Sequence, residues 1–269
     1  MIYYNNKEIN DWNFGDDNIA KVYKHGVVCH YKIEPPAHDY SQDYFTVVSQ
    51  SAGTSVQISG SSSEMKFQVS TNGGTSWLSA TRVVAVSSLR KGAKVLIRSS
   101  TTLSPSSTYQ GVGKISITGA CSVEGNVMSL MYGSSFKGKT TMQGIYCFYG
   151  LFDGCGENLL SVEKLVLPAT TLEPHCYERM FYYCTKIEKA PALPATELTT
   201  RCYGSMFFGC SSLSYIKAMF ITKPSTSYTN SWVYGVKSSG TFVKNSSATW
   251  DVIGNYAVPD GWTVQTESS

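Results

Sequence analysis

Between residues 44 and 118, apolar and polar positions alternate in six short runs. They are Tyr44–Val48, Ser55–Ser59, Met65–Val69, Thr81–Val86, Ala93–Arg98 and Lys114–Thr118. A period of two places every second side chain on one face of a strand, and Gly- and Ser-rich stretches between the runs supply turns. Six such strands predict a β-sandwich-like domain. Residues 1–33 form a separate pattern. Ile2–Tyr4, Ile19–Tyr23 and Val27–Ile33 are β-like, with turn signals at Asn5-Asn6, Gly15-Asp16-Asp17 and His25-Gly26. A unit this small buries little surface and calls for a partner. Pro35-Pro36 marks the break after it.

A different period begins further on. Leu167–Ile187 and Leu193–Leu213 are offset by 26 residues and identical at 10 of 21 positions. A shorter copy, Cys147–Cys155, lies 29 residues before the matching part of the first of these, with Gly156–Asn158 as an insertion. Within the longer copies, Leu172, Cys176, Met180 and Cys184 recur at every fourth position, as do Leu198, Cys202, Met206 and Cys210. Tyr177 and Phe181, then Tyr203 and Phe207, widen the stripe. That spacing predicts a helix, and Leu165–Leu167 and Ser214–Ile216 predict strands. Each unit then reads as a strand plus a helical segment that buries its face only by stacking on its neighbours. A period in the twenties is the range of leucine-rich repeats.

The stripe governs the reading of the cysteines. On a helix, residues eight apart are separated by about 12 Å, whereas a disulfide needs Cα atoms within about 7 Å. Cys147, Cys155, Cys176, Cys184, Cys202 and Cys210 therefore read as reduced core residues beside Met180, Phe181, Met206 and Phe207. No close Cys-x-x-Cys pair favours zinc.

Composition adjusts this picture modestly. Only 15% of the 269 residues are charged and the formal net charge is +3, without a basic stripe, which argues against nucleic acid as partner. No apolar run approaches the ~20 residues of a membrane span, so no membrane insertion is expected. The first residues lack a secretory signal pattern; with Met1 as the natural start, the chain is expected to be made in the cytoplasm and to stay there or leave by another route, such as assembly into a particle, whereas with another start a signal could have been removed.

Several chemical motifs need weighing. Gly133–Thr140 spells the Walker A pattern, but Lys164–Leu167 runs into Pro168 and supplies no acidic strand end for Mg²⁺. A P-loop NTPase is the remote alternative. Ser70–Trp77 resembles an Asp-box with Asn72 in place of Asp, and reads as a hairpin turn with a packed Trp. His175 takes the position of Arg201 and reads as exposed, and Asp153 reads as an exposed turn residue. No catalytic residue, cofactor or metal ligand is predicted. Tyr228, Trp232 and Tyr234 follow the last repeat; they suit either sugar stacking or capping of the terminal unit.

The segments Leu-Pro-Ala-Thr-x-Leu…Cys-Tyr-x-x-Met-Phe-x-x-Cys resemble the BspA-type leucine-rich repeats of gut Bacteroidales and their phages. The resemblance covers roughly residues 119–264, including Gly125–Leu130, Gly240–Lys244 and Val258–Val264. The opening Ile2-Tyr-Tyr-Asn…Ile9-Asn-Asp-Trp…Val28-Cys-His-Tyr31 is similar to the N-terminal anchors of some phage fibre and tail proteins. Together they imply a mainly β chain with short helices. An N-terminal β anchor spans 1–33 and a β-sandwich-like domain 44–118. A leucine-rich-repeat solenoid follows at 119–223, then a C-terminal β cap at 224–269. The implied function is that of a non-enzymatic virion protein, a head or tail fibre that displays the repeats for attachment to a host glycan or protein. Residues 1–33 would bind other virion proteins, and a homodimer or homotrimer is implied. The alternative is an adhesin on the bacterial cell surface.

Overall fold

The computed structural model describes residues 38–100 and 111–267, together with the strand backbone at 3–4, 7–8, 19–24 and 27–32. The chain divides into two compact units, Met1–Asp39 and Tyr40–Ser269. In the first, β1 (Tyr3–Tyr4) pairs antiparallel with β2 (Lys7–Glu8), and β3 (Ile19–Lys24) with β4 (Val27–Lys32). Cys29 and His30 lie on β4, and their side chains are outside the described residues. The docking role expected of 1–33 falls largely outside them too.

The second unit is mainly β, as the alternation predicts. Its first strands are β5 (Thr46–Ser49), β6 (Thr54–Ser59), β7 (Phe67–Ser70), β8 (Val83–Leu89), β9 (Lys94–Ser99) and β10 (Lys114–Thr118). They are followed by β11 (Cys121–Asn126) and β12 (Leu159–Val166). β10, β6 and β8 form one antiparallel sheet; β12, β11, β5, β9 and β7 form the other, in that order. The inward residues Val56, Ile58, Ile115 and Ile117 of the first sheet share a core with Phe45, Val47, Phe67, Val95 and Ile97. The second sheet continues across residues 118–119. β5 is antiparallel to β11, and β11 is parallel to β12, which begins the strand side of the repeats. Ser129 ties the two regions together: it accepts from the Phe45 N–H at 2.9 Å and donates to the Ile97 carbonyl at 3.0 Å.

The predicted helices of the repeats are absent. Residues 175, 179 and 183, and again 201, 205 and 209, have positive φ. An α-helix cannot pass through such residues. The segment is instead a ribbon of consecutive turns. Cys176, Glu178, Met180, Tyr182 and Cys184 donate their N–H groups three residues back. The intervening residues, Tyr177, Arg179, Phe181 and Tyr183, donate sideways to Cys202, Gly204, Met206 and Phe208 at 2.8–3.0 Å. Pro174 begins the ribbon at the second position of a turn whose third residue, His175, has φ 58°, the type II pattern. Four residues thus make one repeat of the turn pattern, which reproduces the i, i+4 stripe without a helix.

The same sideways ladder joins Phe148, Gly150 and Phe152 to Cys176, Glu178 and Met180. It joins Tyr203, Ser205 and Phe207 to Tyr228, Asn230 and Trp232. Residues 224–236 are therefore a fourth copy. Its signature is hidden because Tyr228, Trp232 and Val236 stand where the preceding copy has Cys202, Met206 and Cys210. At the other end, Val112 and Ile115 donate to Cys147 and Leu151, so the approach to β10 and its second residue cover the first copy. On the strand side, β13 (Tyr215–Ala218), β14 (Thr241–Asn245) and β15 (Thr263–Glu267) pair in parallel.

Candidate functional site

The ten residues singled out in the repeat core are all buried. Their rings form two internal columns. Phe148, Tyr177 and Tyr203 stack at centroid distances of 5.6 and 5.9 Å, and Phe152, Phe181 and Phe207 at 5.3 and 5.6 Å. The six cysteines of the copies are buried thiols that donate to, or lie against, backbone carbonyls; Cys210 Sγ is 3.1 Å from the Phe181 oxygen. Burial pushes Cys147 up to about 11 and Cys155 and Cys202 up to about 12, so these thiols stay protonated. The helix-based distance argument against a disulfide lapses with the helix. What the structure offers in its place is a set of free cysteines seated in the core.

Trp232 is fully buried, which removes it from the sugar-stacking reading and agrees with the capping one. Its indole N–H donates to the Ala257 carbonyl at 2.9 Å, and it closes both ring columns, 6.1 Å from Tyr203 and 6.0 Å from Phe207. Tyr228 is half-buried in the ladder, while Tyr234 is 50% exposed. Tyr234 belongs to a row that sequence reading missed. Tyr182, Phe208 and Tyr234 stack along the outside of the ribbon at 5.1 and 4.8 Å. Tyr183, also 50% exposed, lies over Gly209, where a Cβ would come within 2.6 Å of its ring. Arg179 sits 3.8 Å from the Tyr182 centroid, within cation–π range. The signal was present as aromatic residues at 26-residue spacing, but it could not be told from core without knowing which face is outward.

Beside this row runs a charged network between copies. Arg179 donates twice to Asp153 Oδ2, at 2.8 and 3.2 Å. Arg201 donates twice to Glu178 Oε1, at 2.6 and 2.9 Å. His175 does not project into solvent as the Arg201 analogy suggested. Its Nδ1 lies 2.5 Å from Glu178 Oε2 and its ring stacks on Tyr146 at 4.4 Å. Asp153 is likewise held in a pair instead of standing alone in a turn.

The Walker-like segment has a different setting from a phosphate loop. Gly133–Ser135 is a 3-10 turn after the short helix α1 (Ser129–Tyr132), and among the described residues no α-helix lies between Thr140 and Thr171, which bridges to Thr141. Lys139 rests over the Tyr132 ring at 5.4 Å. The Asp-box-like turn is built on Asn72, whose Oδ1 accepts from Ser70 and from the Ser76 N–H, while Trp77 packs on Tyr44 and Arg98. Among the described residues, no group of three or more potential metal ligands occurs, and no helix is long and apolar enough to cross a membrane. No protein-family model, curated protein or solved structure matches the chain.

Proposed function

We propose that the protein is a non-enzymatic structural component of a phage particle, a head or tail fibre or appendage. In this reading, residues 1–33 dock on other virion proteins and the repeats form a short BspA-like solenoid that displays an attachment surface. The observation that carries it is the outward row Tyr182, Phe208 and Tyr234, flanked by Tyr183 and Arg179 on a backbone ladder that fixes every ring. Aromatic rings and arginine, here half-buried at Tyr182, Phe208 and Arg179 and exposed at Tyr183 and Tyr234, are the residue types that anchor protein interfaces. The modular order and the two sequence resemblances support the virion setting. The buried thiols favour it over a secreted adhesin, because a chain folded in the cytoplasm keeps its cysteines reduced. Deleting residues 1–33 is expected to abolish incorporation into particles while leaving the rest folded. Incorporation at the normal level would reject the docking role.

A further inference from the structure

The last rung on the strand side of the repeats is an open edge. β15 is the outermost strand of the sheet β13-β14-β15, and all five of its residues are exposed. It runs parallel to β14, so its backbone groups are placed one by one. The Thr263 N–H donates to the Gly240 carbonyl, and the Glu267 carbonyl accepts from the Ser246 N–H, both at 2.9 Å. Odd-numbered residues therefore turn their N–H and C=O towards β14. Val264 and Thr266 turn theirs away from it, because the two directions alternate along a strand. Among the described residues, the outward groups of Val264 and Thr266 have no backbone partner.

The outer strands of the sandwich are treated differently. Leu78 and Thr81 bond to β7, and the first ribbon copy bonds to Ile115 of β10. β8 carries a bulge between the residues facing Thr54 and Val56, with Ser88 at φ 56°. Natural sheets blunt a free edge with Lys, Pro or a bulge. Thr263–Glu267 has none of these: its register with β14 is unbroken, and its single charge, Glu267, is paired with Lys217 at 2.7 Å. The same end of the stack also shows apolar side chains. The segment 253–258 accepts from the Val233 N–H and from Thr229 Oγ1 of the fourth ribbon copy, and it exposes Ile253 and Tyr256. Val264 is exposed on β15 itself. The end unit of a repeat stack that stays single in water needs a polar outer face.

We infer that two copies of this chain pair edge to edge through β15, antiparallel about a two-fold axis at Gln265, so that the sheet β13-β14-β15 of each runs on into that of the other. The register follows from the groups on the edge. With Gln265 opposite Gln265 of the second copy, Val264 meets Thr266 on both sides of the axis. The outward N–H and C=O of each such pair then exchange two hydrogen bonds, which uses every outward group of the two residues. Glu267 lies opposite Thr263, whereas a register centred on Glu267 would set two carboxylates face to face, which is destabilising. The edge is thus complementary to itself, as a two-fold interface requires. That self-complementarity selects a second copy over an unrelated strand. The pairing holds whether or not the chain is carried on a particle.

The test is sedimentation equilibrium of the full chain at tens of micromolar, where twice the chain mass is expected. Val264→Pro removes an outward donor and leaves the bonds between β14 and β15 in place, because proline is tolerated on an edge strand where the N–H faces solvent. It should weaken the dimer at least tenfold with an unchanged far-ultraviolet circular dichroism spectrum. Gln265→Lys, at an exposed position, sets two ammonium groups opposite each other and should do the same; it carries the test if Val264→Pro disturbs the fold. Gln265→Cys under oxidised glutathione should form an interchain disulfide, since residues opposite each other at a non-hydrogen-bonded site have Cα atoms about 4.5 Å apart. Thr263→Cys, facing Glu267 instead of itself, should not. A wild-type monomer throughout that concentration range would overturn the inference. So would a dimer that either folded variant leaves intact, or cross-linking at residue 263 as fast as at 265. None of these results bears on incorporation of the chain into particles, which the 1–33 deletion tests separately.

Discussion

Ser205 shows what the ribbon asks of single residues. It has φ 49°, in the left-handed region, at a position where the first copy has Gly150. A side chain there costs on the order of 1 kcal/mol through contact of Cβ with the backbone. Ser205→Gly is therefore expected to stabilise the protein by up to about 1 kcal/mol, less the chain entropy that glycine forfeits, measured by urea unfolding. Tyr203 makes a related point, because its hydroxyl is buried without a hydrogen-bond partner and Phe148 fills the equivalent place in the first copy. Leaving such a group unsatisfied costs about 1–3 kcal/mol, so Tyr203→Phe should be neutral or stabilising in the same assay. The thiols set the pH response. Cys121, Cys155 and Cys202 are raised from 9.0 to about 12, mainly by desolvation. Above pH 9 the unfolded chain loses these protons and the folded chain keeps them, so stability should fall steadily from pH 9 towards 12. A melting temperature that stays flat across that window would contradict the burial of the thiols.

The elements show why some of the fold was legible and some was not. The six sandwich strands were readable because alternation reports directly on one buried face, and β5–β10 fall on the six runs with shifts of a few residues. The repeat was readable as a repeat because Cys176, Met180 and Cys184 return at Cys202, Met206 and Cys210. Its backbone was not, since a stripe at every fourth residue is shared by a helix and by a ribbon of four-residue turns. Only the positive φ at His175, Arg179, Tyr183, Arg201, Ser205 and Gly209 separates them, and of those only Gly209 is a glycine that could announce it. The outer row was hidden for the same cause: helical geometry misplaces Tyr182 and Phe208 relative to the core. The fourth copy around Trp232 went unseen because it replaces both cysteines, which left that residue placed only as beyond the last repeat. Since each copy is clamped on both sides, truncation in the middle should be costly. Met206→Ala is expected to destabilise by about 2–5 kcal/mol by denaturant unfolding, without changing the exposed row.

Taken as one body, residues 40–269 leave little freedom between the sandwich and the repeats. The sheet passes from β5 through β11 to β12, and the first ribbon copy is bonded to the stretch entering β10. A spacer hinged to a display module would need a break at that junction, and the backbone bonds fill it instead. At the far end, Trp232 and the chain around Ala257 close the ring columns, so the core is covered at both ends of the stack. Within that body the ribbon and the two sheets therefore present their surfaces as one rigid unit. We propose that a virion carries it. Quantitative mass spectrometry of gradient-purified phage particles, set beside the envelope fraction of the uninfected host, tests it most directly. The protein is expected in the particles at a fixed ratio to the capsid protein; its presence in the host envelope and absence from the particles would contradict the account.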